Sequence, residues 1–168
     1  MEAKIKKACL WWVYLAGILL LVVVLTTAIN IMAFGLDRVA RIFDSNVGAL
    51  SGYEDLVRLL VSCIALMFFP WAQSERGHIA VDFFAARLSD KTQERFDIFW
   101  LFLTLLLVIF LGVLMVFGML ESRDDGALSS ILGWSEWPFY IPGIISLVMW
   151  TIVLIYQIFV TKGRKLNG

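Results

Sequence analysis

The sequence predicts an all-α integral membrane protein with four transmembrane helices, short interfacial amphipathic helices and both termini in the cytoplasm. Of its 168 residues, 61% are hydrophobic and only 17% are charged, whereas soluble domains average about 45–50% and about 25%. The charged residues also lie in clusters that separate four long uncharged stretches. A water-soluble fold of this length could not bury so much apolar surface, so we interpret residues 1–168 as a single membrane domain.

Each of the four stretches is predicted to cross the membrane as a helix. An apolar layer of about 30 Å requires about 20 residues at a helical rise of about 1.5 Å per residue. The second stretch reaches this length if it begins at Leu56 and if the Arg58 side chain extends to the membrane surface. The predicted spans are about residues 10–34, 56–74, 98–120 and 137–161.

The distribution of lysine and arginine predicts the orientation. Ten of the 14 basic residues lie near the two termini or in the loop between the second and third spans, and four lie on the other side. Short cytoplasmic loops are enriched in these residues. We therefore expect the termini and the middle loop to be cytoplasmic.

Two connections between the spans have the pattern of short amphipathic helices at the membrane surface. In the connection 35–55, apolar residues between positions 36 and 43 face away from the charged ones. In the connection 75–95, a wide apolar face lies opposite His78 and Asp82, which are four residues apart.

Apart from Arg58, which is expected at the membrane surface, the predicted spans contain no charged residue. Transporters and proton relays place such groups inside the membrane, because ions and charged solutes need partners there. The most polar residues of the first span are Thr26, Thr27 and Asn30, and we interpret them as donors or acceptors in helix packing. We therefore do not expect the chain to move a charged solute by itself.

Catalytic, cofactor and metal sites are not expected, and the chain is not predicted to be an enzyme. The only histidine is His78, whereas a b-type haem needs two axial ligands and a zinc ion three or four. The spans contain neither a serine–histidine pair nor paired aspartates. The net charge of zero also argues against a nucleic-acid partner, which would require a basic surface.

The most specific motif is Gly77-His78-Ile79-Ala80-Val81-Asp82. It resembles the hallmark of the small membrane subunit of tripartite ATP-independent periplasmic (TRAP) transporters, the DctQ-like family, in which Gly-His-hydrophobic-x-Val-Asp follows the second span. Further similarities lie around Arg41, around Glu54 and at the start of the fourth span. The residues that match the family motifs are Gly77, His78, Val81, Asp82, Arg41, Glu54, Tyr140 and Pro142.

For His78 and Asp82 two roles stay open. They either position the loop helix and a subunit interface, or they take part directly in transport.

The resemblance implies a sodium-coupled transporter for organic acids in the bacterial inner (cytoplasmic) membrane. Its large membrane subunit would hold the solute and sodium sites, and a periplasmic substrate-binding protein would deliver the solute. The small subunit would pack on the large one as a scaffold in contact with membrane lipid. The alternative is an independent four-helix membrane sensor or a small channel, which the lack of pore-lining polar residues disfavours.

The predicted orientation can be tested with reporter fusions. Fusions at Gly168 and near Asp90 should report a cytoplasmic location, and a fusion at Asp125 a periplasmic one, because of the asymmetry in basic residues. A periplasmic C-terminus would contradict the four-span topology.

Overall fold

A computed structural model describes residues 2–43, 48, 50–75 and 90–164. Its four long helices are α1 (Glu2–Ala40), α2 (Tyr53–Ser74), α3 (Asp90–Asp124) and α4 (Tyr140–Arg164). Short 3-10 turns at Arg41–Phe43 and Trp137–Phe139 follow α1 and precede α4. In this part of the chain the only β-type pairing is an isolated bridge between Leu128 and Ser135.

Each of the four helices is long and apolar enough to cross a membrane, which confirms the predicted all-α fold with four spans. The helices enclose the four uncharged stretches of the sequence. The predicted amphipathic helix of the connection 75–95, with the motif Gly77-His78-x-x-Val81-Asp82, lies outside the described residues except at its two ends.

The segment 36–43 differs from the expectation of a separate surface helix. It is helical to Ala40, but it continues α1 without a break at Gly35. Gly35 therefore does not form a turn. A side chain added there would meet no other atom within 4 Å. The 39 residues of α1 correspond to about 58 Å, which exceeds the apolar layer even at a tilt of about 40°.

The helices pack in the order α1, α2, α4, α3. The extensive helix contacts are those of α1 with α2, α2 with α4, and α4 with α3. The most apolar windows of α2 and α4 are each 33% buried, compared with 17% for α1 and 6% for α3. The helices therefore form a row, with α2 and α4 inside and α1 and α3 at the two edges.

The row contains two separate apolar cores. One lies between α1 and α2 and is centred on Ala16, Val23, Ile64 and Met67. The other lies between α3 and α4 and is centred on Val108, Leu147, Trp150 and Leu154. The contact between α2 and α4, which joins these cores, includes several polar side chains.

The buried face of α1 repeats every seven residues. Cys9, Ala16, Val23 and Asn30 are its buried residues. A seven-residue repeat keeps one stripe of a helix against a neighbour with a small left-handed crossing. Small residues in that stripe allow close approach, which drives helix association in lipid.

This packing predicts opposite outcomes for two neighbouring positions of α1. Ala16 is fully buried, so Ala16→Leu should lower the free energy of unfolding by about 1–3 kcal/mol through overpacking. At Gly17 nothing lies within 4 Å of an added side chain, so Gly17→Leu should leave it unchanged or raise it. Unfolding in mixed micelles, followed by circular dichroism, measures both. Equal destabilisation of the two variants would contradict the assignment of the packing face.

Candidate functional site

The loop between α3 and α4, residues 125–136, folds into a compact turn. Gly126 and Gly133 have positive φ angles of 61° and 66°, a conformation that glycine adopts without steric cost. The N–H of Ser129 donates to the carbonyl of Trp134 at 2.8 Å, and the N–H of Glu136 donates to that of Ala127 at 3.0 Å. These hydrogen bonds bring the two ends of the loop together, and we call residues 125–136 the α3–α4 turn.

Asp55 in the first turn of α2 holds the α3–α4 turn. Its carboxylate oxygen Oδ2 accepts hydrogen bonds from the backbone N–H groups of Ile131 at 2.7 Å and Leu132 at 3.0 Å. The Asp55 side chain is only 5% exposed. Hydrogen bonds from backbone N–H groups to a carboxylate are stronger than those between neutral groups. Asp55 therefore fixes the turn against the end of α2.

Gly52 lets the α3–α4 turn approach α2 closely. Its φ angle is 82°, and an added Cβ would lie 2.5 Å from Cδ2 of Leu132. Any other residue here would meet both an unfavourable backbone conformation and a steric overlap. Gly52 and Asp55 thus form one seat for the turn.

Two surface contacts lie at the ends of the same turn. Arg58 of α2 forms an ion pair and hydrogen bond with Glu136 at the end of the turn. The guanidinium of Arg123 lies 5.6 Å from the centre of the Trp137 ring, within the range of a cation–π interaction. Exposed ion pairs contribute little to stability, so Asp55 is the stronger attachment.

Asn30 plays a similar part for the connection between α1 and α2. Its side-chain oxygen accepts a hydrogen bond from the N–H of Leu50 at 2.9 Å, and the residue is buried. The sequence interpretation assigned Asn30 to hydrogen bonding between helices. In the structure its bond goes instead to the connecting segment, while Thr26 and Thr27 donate to carbonyls of their own helix, those of Val22 and Val23.

Near the C-terminal ends of α2 and α4, far from the α3–α4 turn, two buried glutamines join these helices. Nε2 of Gln73 donates to Oε1 of Gln157 at 2.7 Å, and Nε2 of Gln157 donates to the backbone oxygen of Gln73 at 2.7 Å. The indole N–H of Trp150 also donates to Oε1 of Gln73, and its ring stacks on Phe69 at 4.7 Å. This group, the glutamine cluster, satisfies its polar atoms within the protein.

The family-motif residues that the structure describes do not form one site. Arg41, in the 3-10 turn after α1, pairs with Asp37 at the end of α1 at 2.8 Å, and Glu54 is exposed. Tyr140 lies against Gly118, where a Cβ would be 3.4 Å from its ring. The carbonyl of Pro142 accepts the Ser146 hydroxyl at 2.7 Å.

Sequence reasoning selected Glu54, although its neighbour Asp55 makes the contacts. The helical spacing of four residues places Asp55 on the same face as buried Leu59 and Cys63, and that spacing was the available signal. The glutamine cluster was also missed, although Gln73 and Gln157 are the only side-chain amides of their two helices.

The described part of the chain offers surfaces for packing rather than groups for a reaction. It contains no group of three or more His, Cys, Asp or Glu side chains that could hold a metal ion. Large apolar side chains of α1 and α3 are exposed along much of both helices. These faces can contact lipid or another membrane protein.

Comparisons with known proteins give one match. The model of the family described as "Tripartite ATP-independent periplasmic transporters, DctQ component" matches residues 35–161. No curated protein and no solved structure matches the chain. The matched region includes most of the described turns and all of α2 and α3.

The seat of the α3–α4 turn makes a prediction for hydrogen exchange. Asp55→Ala removes the acceptor of two backbone N–H groups, so peptides containing Ile131 and Leu132 should exchange faster. Glu54→Ala should leave their exchange unchanged because Glu54 is exposed. Asp55→Asn, which keeps one acceptor oxygen, should give an intermediate rate. If Glu54→Ala accelerates exchange as much as Asp55→Ala, the assignment of the anchor is wrong.

Proposed function

We propose that this chain, which belongs to the family of DctQ components of TRAP transporters, is the small membrane subunit of a sodium-coupled transporter for organic acids. The match over residues 35–161 carries this proposal. DctQ is a family of transporter components and not of enzymes. Its members work with a large membrane subunit and a substrate-binding protein, and we propose the same partners here, in a bacterial inner membrane.

The arrangement of the helices supports a scaffold role. Solute and ion sites within a membrane need polar or charged groups. The apolar stretches of the four helices provide no charged group for such a site. The polar groups of the glutamine cluster bond to one another. We propose that solute and sodium bind to the large subunit and that this chain supports it from one edge of the row.

The α3–α4 turn supports a contact on the periplasmic side. Leu128, Ile131 and Trp134 are exposed on it, although Asp55 holds its backbone in place. An exposed apolar surface on a fixed backbone binds a partner with little loss of conformational entropy. We propose that this surface contacts the substrate-binding protein or the periplasmic face of the large subunit.

Reconstitution tests the subunit role. Proteoliposomes with the large subunit, this chain, the binding protein and an inward sodium gradient should take up an organic acid. Liposomes with this chain and the binding protein should take up none, because the solute site belongs to the large subunit. Radiolabelled uptake measures both. Sodium-driven uptake without the large subunit would contradict the scaffold role.

The motif Gly77-His78-x-x-Val81-Asp82 lies outside the described residues, and we propose that it positions a subunit interface. His78→Asn and Asp82→Asn should weaken the complex with the large subunit by about 0.5–2 kcal/mol, the usual cost of a lost cap or hydrogen bond. Uptake per assembled complex should stay nearly constant. A direct chemical role would instead give a pH dependence of uptake that His78→Asn abolishes in intact complexes.

A further inference from the structure

A pocket lies between α1, α2 and α4, beside the helix ends that carry the glutamine cluster. Glu2 and Lys6 of α1, Ser74 of α2 and Tyr156 of α4 supply polar groups to its wall. Ile5, Val153 and Val160 supply apolar ones. The pocket therefore combines charge with a strip of hydrocarbon, as a site for an amphipathic molecule requires.

Two side-chain hydrogen bonds bridge α1 and α4 on the side of the pocket. The indole N–H of Trp12 donates to the Ser146 hydroxyl at 2.9 Å. Ten residues before Trp12 in α1 and ten residues after Ser146 in α4, the Tyr156 hydroxyl donates to Oε2 of Glu2 at 3.2 Å. The pocket lies beside the second bridge, and Gln157 of the glutamine cluster also lines it.

The charges at the pocket mouth favour a zwitterion. Nζ of Lys6 lies 3.3 Å from Oε1 of Glu75, and Glu2 lies on the same wall. Lys6 thus pairs with Glu75 and shares the pocket wall with the carboxylate of Glu2. A ligand with both a phosphate and an ammonium group finds an opposite charge for each, in Lys6 and in Glu2.

We infer that this pocket binds a phospholipid whose headgroup is phosphoethanolamine. Its phosphate accepts hydrogen bonds from Lys6, and its primary ammonium donates to the Glu2 carboxylate. Its acyl chain lies along Val153 and Val160, so the binding requires a membrane lipid rather than the free headgroup. A choline headgroup has no N–H group to donate to this carboxylate.

The inference is tested on the purified, delipidated full chain by native mass spectrometry and thermal unfolding. The probes are three phospholipids with identical acyl chains and ethanolamine, choline or glycerol headgroups, together with free phosphoethanolamine. The ethanolamine lipid should be retained most strongly and should raise the unfolding temperature most. Equal retention of the three lipids, a preference for the glycerol headgroup, or equal protection by free phosphoethanolamine would overturn the inference.

Matched variants locate the site. Lys6→Gln and Glu2→Gln should each reduce retention of the ethanolamine lipid by about tenfold, the effect of losing a charge-assisted hydrogen bond. Lys6→Arg should retain it, because the positive charge remains. Lys4→Gln is the control, since Lys4 is exposed on the same helical turn and does not line the pocket. An equal loss in Lys4→Gln would show general charge attraction and not this site.

Discussion

The contact between α2 and α4 is the one on which the rest of the row depends. Lipid chains are as apolar as leucine, so the hydrophobic effect does not drive helices together inside a membrane. Hydrogen bonds and close packing must do so instead. The glutamine cluster joins the pair at one end, and Asp55 joins α2 to the turn that leads into α4 at the other.

Between these two ends, the pair is held by short contacts. The Cys63 thiol donates to the carbonyl of Phe139 at 2.6 Å, and Gly143 leaves room for Met115 and Leu66 at the crossing of α2, α3 and α4. Interhelical hydrogen bonds in membranes average about 0.6 kcal/mol each. Several of them spread along the pair resist both sliding and rotation, since each motion breaks contacts at both ends. The outer helices α1 and α3 then attach to a fixed pair.

The sequence was sufficient for the spans and the family resemblance, because both depend on local runs of residues. Charge-free stretches identified four helices whose existence the structure confirms, and the motifs indicated the family that the match shows. The order of the helices in the row was not predicted, although the two inner helices are the less apolar ones. Gln73 and Gln157 were the available signal, because a polar side chain within a span needs a partner in lipid.

Finer errors have equally physical causes. The first predicted span ended at residue 34, but a glycine inside a helix costs only about 1 kcal/mol, and α1 continues through Gly35. Glu54 and Asp55 are adjacent and both acidic, so their residue type does not show which one is the anchor. Only the loop that returns from α3, more than 70 positions later in the chain, decides which of them becomes an anchor.

The two edge helices are held unequally, and this bears on the proposed scaffold role. α1 has a seven-residue repeat of buried side chains, of which Ala16 and Val23 pack against α2, and Trp12 adds a hydrogen bond to α4. In contrast, Val108 is the one fully buried residue that α3 adds to the second core, and Leu101, Leu105 and Met115 pack against that core only partly buried. A helix with so little of its surface covered gains the most packing contacts when a membrane partner binds to it. On the proposed function, α3 is therefore the edge that we expect the large subunit to cover, while the locked pair of α2 and α4 keeps that edge in a constant position during transport.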